Sequence, residues 1–97
     1  MRRKTTMTYR FYYFCKQIGS RSRYGGEFHC VRVPFSDQRI EELTKKYSPV
    51  GWSTIASFPY KPSVEEEIHA INMRFRTWEQ TVIVEDPETA KRNGKLA

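Results

Sequence analysis

Cys15, Cys30, His29 and His69, with the carboxylate run Glu65-Glu66-Glu67, are the side chains of this chain best suited to chemistry. Zinc ordinarily takes its ligands as close pairs of the C-x2–4-C type. Cys15 and Cys30 are not such a pair. His29 and Cys30 are adjacent in a segment that reads as a strand, so they point to opposite faces. A cysteine nucleophile needs a histidine within hydrogen-bond reach and a third group to orient it. Across a hairpin His29 comes opposite Lys16, not Cys15. The three glutamates stand at the start of an apolar helical stripe, where acidic residues complement the helix dipole. No Walker loop, HExxH or G-x-S-x-G occurs in the sequence. No metal, no cofactor and no catalytic site is expected, and the function sought is binding rather than catalysis. The two cysteines, too few for a disulfide framework, are read as reduced thiols packed as small apolar groups.

The signal for binding is the interleaving of rings with cations in Tyr9-Arg10-Phe11-Tyr12-Tyr13-Phe14-Cys15-Lys16, continued by Arg21, Arg23 and Tyr24. Cations grip phosphates or carboxylates, and rings stack on bases or fill apolar pockets. Charge is placed just as unevenly. Residues 1–33 hold eight Lys/Arg against Glu27 alone, whereas residues 34–97 hold nine against ten Asp/Glu. The net charge of +6 therefore lies in the first third of the chain. A one-sided basic face suits an acidic partner, either nucleic acid or an acidic protein surface, although such charge also serves solubility. Arg10, Tyr12, Lys16, Arg21, Arg23, Tyr24 and Arg32 are the candidate partner-binding residues.

Several elements must position these side chains. Residues 8–18 are aromatic-rich without Gly or Pro and read as a strand, as do residues 27–33, stopped by Pro34. The Gly- and Ser-rich loop between them makes a β-hairpin. If the hairpin is symmetric about its loop, Phe14 faces Val31, Tyr12 faces Val33 and Cys15 faces Cys30. Tyr9, Phe11, Tyr13 and Cys15 then share one face, and Arg10, Tyr12, Phe14 and Lys16 the other. Ser36 reads as the cap of a helix with Ile40, Leu43 and Tyr47 on one stripe. Residues 50–58 read as a third strand. Ser63 and Glu66 make a capping box for a second helix, with Val64, Ile68, Ile71, Phe75 and Trp78 on its apolar face. Residues 81–85 read as a last strand, and Asp86-Pro87-Glu88 can start a further helical turn.

The order ββαβαβ implies an α+β fold, a small, mostly antiparallel sheet with two helices on one face. It forms a single domain over residues 1–97, with a flexible basic arm at 1–7 and a loose tail at 91–97. Six Phe, six Tyr and two Trp supply the core, each large ring burying ~150–250 Å². No apolar run approaches the ~20 residues of a membrane span, and no clean apolar segment follows the basic start, so a cytoplasmic protein is expected. The segment Phe58-Pro59-Tyr60-Lys61-Pro62 must turn a strand into a helix. Trans is the ordinary state of each X–Pro bond. A cis bond at Pro59 or Pro62 is the hypothesis raised here, and it would make a host prolyl isomerase a second partner.

Gly25-Gly26-Glu27-Phe28 resembles part of the diguanylate cyclase signature, but those domains are far longer than this chain. Residues 23–33 resemble the RNA-contacting strand of RRM domains, which should follow a βαβ segment and here does not. In size, basic charge and aromatic hairpin, the chain resembles the small accessory proteins of temperate lambdoid phages, among them the modulator of the host RecBCD nuclease. That resemblance covers overall character and no local motif. It implies a non-catalytic modulator or inhibitor whose partner is a host protein, the RecC subunit of the nuclease complex, with no activity of its own. Direct DNA or RNA binding by the basic aromatic hairpin is the alternative.

Overall fold

The computed structural model describes residues 8–18, 26–47 and 51–93. The basic arm at 1–7, the loop residues Arg21, Arg23 and Tyr24, and residues 94–97 lie outside these.

β1 (Tyr9–Ile18) and β2 (Glu27–Pro34) form the expected antiparallel hairpin. Its register sets Tyr12 opposite Val33, Phe14 opposite Val31, Cys15 opposite Cys30 and Lys16 opposite His29. There follow α1 (Ile40–Tyr47), β3 (Trp52–Phe58), α2 (Val64–Phe75), β4 (Thr81–Glu85) and α3 (Pro87–Asn93). The order ββαβαβ holds, closed by a third helix. The sheet runs β3-β1-β2-β4, with β3 antiparallel to β1 and β4 parallel to β2.

Two helices on one face were expected, but helices cover both. The reason lies in β1, where alternation sends a row of rings to each side. Stripping water from rings stabilises by about 25 cal/mol per Å² of apolar surface, so each row needs cover. On one side Phe14, Val31 and Val33 pack with Leu43 and Tyr47 of α1 and Ala90 of α3. On the other, Tyr13, Cys15, Phe28, Cys30 and Val82 pack with Ile71 of α2, flanked by Ile68 and Phe75.

The helix ends follow local chemistry, with three departures from expectation. α1 starts at Ile40, later than a Ser36 cap would give. Asp37 instead holds the turn that precedes α1, its Oδ1 accepting the Arg39 backbone N–H at 2.8 Å. At α2 the capping box is present: Glu66 N–H donates to Ser63 Oγ at 3.1 Å and Ser63 N–H to Glu66 Oε1 at 2.8 Å. That helix ends at Phe75 because Arg76 turns left-handed at φ 57°, donating its N–H to the Asn72 carbonyl. Trp78 therefore leaves the apolar stripe and is 58% exposed, and Val64 at the other end is 56% exposed. Asp86 caps α3, accepting the Thr89 N–H at 2.8 Å, with Pro87 as the first helical residue. The helix continues to Asn93, so residues 91–93 are helical rather than part of a loose tail.

Among the described residues no peptide bond is cis, so Pro59 and Pro62 are both trans. The connection from β3 to α2 is long enough to turn without a cis bond. Tyr60 fastens it to the helix start, its hydroxyl donating to Glu66 Oε2 at 2.8 Å. The ground for invoking a prolyl isomerase goes with the cis bond. No helix among the described residues is long and apolar enough to cross a membrane.

Candidate functional site

The structure divides the candidate residues between the two faces. Arg10, Tyr12 and Lys16 lie on the face that α1 and α3 cover, but those helices sit over β2 and its neighbours. Over β1 and β3 that face is open: Arg10, Lys16, Ser53 and Ser57 are exposed, Ile55 is 50% exposed and Tyr12 is half-buried. Tyr12 is held from both sides, stacked on Phe35 at 4.8 Å and on Phe14 at 5.3 Å between ring centroids. Phe14 in turn meets Tyr47 at 6.2 Å. A row of rings thus runs from the open surface into the core. The Arg10 guanidinium sits 5.1 Å from the Phe35 centroid, and Lys46 Nζ 5.5 Å from that of Tyr47, a cation at each end. Such ring pairs contribute ~0.5–1.5 kcal/mol, and exposed cation–ring contacts about 0.5–1 kcal/mol. Their use here is to hold Arg10 and Tyr12 in place beforehand, which lowers the ordering cost of binding.

Arg32 belongs to the opposite face and is not presented to a partner in the same way. Its Nη1 donates to Glu67 Oε1 at 2.6 Å, and Tyr13 Oη donates to Glu67 Oε2 at 2.7 Å. The Glu67 side chain is only 2% exposed, that of Arg32 27%. Burial, and then the hydrogen bond to Glu67, push the Tyr13 hydroxyl pKa well above its ordinary value. The reading of Glu65-Glu66-Glu67 as residues that complement the helix dipole is therefore corrected for Glu67. Glu66 closes the cap, while Glu67 goes under the helix. Its spacing held the clue, since Glu67 stands one turn before Ile71 on the buried stripe.

Cys15 and Cys30 face each other with no exposed surface. Burial, then the contact with Cys15, raise the Cys30 thiol far above its usual range, which disfavours the reactive thiolate. His29 is buried on the other side of the sheet, its Nε2 2.8 Å from Glu27 Oε1. Thiols and imidazole are thus separated as the alternation on β2 requires. Among the described residues no three His, Cys, Asp or Glu side chains are grouped as metal ligands would be.

One feature was not foreseen. At the end of the sheet, a cleft of about 560 Å³ opens between Phe28, Trp52, Phe75 and the turn that carries Trp78. Trp52 and Trp78 are 53% and 58% exposed. Phe28 and Phe75 back the Trp52 ring at 5.8 and 6.4 Å. Gln17, Arg76 and Gln80 add polar groups to the lining. Concave sites with aromatic walls and a few convergent polar groups are the usual form of ligand pockets. Trp78 reaches the cleft because it escapes the helix, which a helical stripe read through to residue 78 conceals. No family model, no curated protein and no solved structure matches this chain.

Proposed function

We propose that this chain is a non-catalytic binding protein that docks on a nucleic-acid-processing enzyme. The resemblance to temperate-phage accessory proteins points to a RecBCD-type nuclease complex in the host bacterial cytoplasm as the partner. The observation that carries the reading is the Arg10–Phe35–Tyr12 stack on the open half of the sheet. Arg and Tyr dominate protein–protein hot spots, above all where their rotamers are set in advance. Arg10 and Lys16 are six residues apart on one strand, roughly 20 Å at the rise of extended chain. Tyr12 and Ile55 lie between them. A cationic rim around an apolar centre matches the anatomy of a protein interface better than a track of phosphates.

The test is capture of the purified nuclease complex by the tagged full chain, after nucleic acid has been digested. Retention is expected, weakened at least tenfold by Arg10→Glu combined with Tyr12→Ala. Absence of retention, or retention by the double variant equal to wild type, sinks the reading.

The aromatic cleft favours a second reading, direct binding of unpaired nucleic acid with bases stacked on Trp52 or Trp78. It requires Trp fluorescence quenching by a single-stranded oligonucleotide, lost in Trp52→Ala. It also requires a salt slope of about −0.7 per phosphate contacted.

A further inference from the structure

β3 forms one edge of the sheet, and among the described residues no strand pairs with its outer side. Edge strands are usually blunted by Lys, by Pro or by a bulge, because their free N–H and C=O groups invite another strand. β3 has the sequence WSTIASF, with neither a charge nor a proline, in a chain of which 29% is charged. Ile55 and Trp52 stand half-exposed upon it.

The strand is also symmetric in chemistry about Ile55. Thr54 and Ala56 flank it, Ser53 and Ser57 come next, and the aromatics Trp52 and Phe58 close the two ends. We propose that the occupant of this edge is β3 of a second copy of the chain, antiparallel, about a twofold axis at Ile55. In that register Ile55 faces its own copy, each Ser53 faces a Ser57, each Thr54 an Ala56 and each Trp52 a Phe58. Directly opposed residues of antiparallel strands share a face, so ring meets ring, isoleucine meets isoleucine and small residue meets small residue. The aromatic pairs fall on the α2 side, the isoleucine and serine pairs on the side of Tyr12. A slip by one residue sends these sets to opposite faces and loses the match.

Charge does not oppose the pairing, although each copy carries +6. On this face the cations of β1 alongside β3 are Arg10, opposite Ser57, and Lys16, one residue past the Cys15–Trp52 pair. Three strand spacings, roughly 14 Å, separate β1 from β1 of the second copy. That exceeds the ~8–10 Å Debye length at physiological salt. The edge of a single strand buries less than the ~1,200 Å² of a standard stable interface, so the dimer forms in the micromolar range rather than below it. The inference does not rest on the docking partner proposed above, although Ile55 belongs to both surfaces, so the two associations compete for it.

Sedimentation velocity of the full chain from low to high micromolar concentration tests it. Wild type is expected to pass from monomer to dimer. Ile55→Lys and Ile55→Glu, each alone, place like charges face to face and weaken dimerisation at least tenfold. An equimolar mixture of these two variants restores it, because opposite charges then meet at the axis. Ile55 is half-exposed, so both variants are expected to fold, and thermal melts check that they do. A wild type that stays monomeric overturns the proposal, as does a dimer that survives both substitutions. A mixture that fails to reassociate overturns the axis at Ile55.

Discussion

The two faces of the sheet share the strand β1 yet are stabilised in different ways. On the α1/α3 face, a row of rings in contact runs from Tyr47 in the core to Phe35 at the surface. On the α2 face, Glu67 joins Tyr13 and Arg32 beneath the helix. Rings tolerate half-exposure, since each loses only the area left in water. A buried carboxylate does not, because it needs every partner it has once water is gone. The ring face can thus stay open and available, whereas α2 is bound to its place. That difference is why the docking surface proposed above is placed on the side of Arg10 and Tyr12.

The largest effect that would probe this contrast is Phe14→Ala. Phe14 is 1% exposed, and its loss should cost ~3–5 kcal/mol in denaturant unfolding. Tyr12→Ala, further out along the same row, should cost about 1–2 kcal/mol. Equal costs would show that the row does not grade from core to surface.

Next comes Glu67→Ala, which leaves Arg32 and the Tyr13 hydroxyl without their acceptor. Breaking a buried pair costs ~3–5 kcal/mol, and the partial exposure of Arg32 reduces this to roughly 2–4 kcal/mol. The triple variant Tyr13→Phe, Arg32→Met, Glu67→Leu should recover most of that loss, since nothing polar is then stranded. A triple variant no more stable than Glu67→Ala would assign the loss to packing instead. A smaller contrast lies along α2: Phe75→Ala should cost about 2–3 kcal/mol and Trp78→Ala less than ~0.5 kcal/mol. The reverse order would return Trp78 to the core.

The smallest effect is in acid. The backbone N–H of Ser63, then the Tyr60 hydroxyl, hold the Glu66 carboxyl below its ordinary value of 4.5. Arg39 does the same for Asp37, and the Thr89 N–H for Asp86. A depressed folded-state pKa means that the folded form binds the proton less readily than the unfolded form. The stabilisation is therefore complete above the ordinary carboxylate value and fades as the pH falls through the depressed one. Melting temperatures measured down the acid limb should fall less steeply for Glu66→Gln than for wild type. Parallel curves would show that the cap carries no linkage.

What the sequence determined by itself was local. The hairpin register followed from the loop and from alternation, and the capping box at Ser63 from residues three apart. The stripe Ile40, Leu43, Tyr47 followed from helical period. Each of these is decided by neighbours along the chain. The tertiary structure alone decided which faces received cover. The chain passes from β2 through α1 to β3 over one face, and from β3 through α2 to β4 over the other. No local pattern encodes that choice of side. From it follow the burial of Glu67, the engagement of Arg32 and the open strip at Tyr12. The left-handed turn at Arg76, which frees Trp78 to wall the cleft, breaks a helical period that the residues alone would have continued. Period and caps are written in adjacent residues. Cover and cleft depend on where distant segments meet.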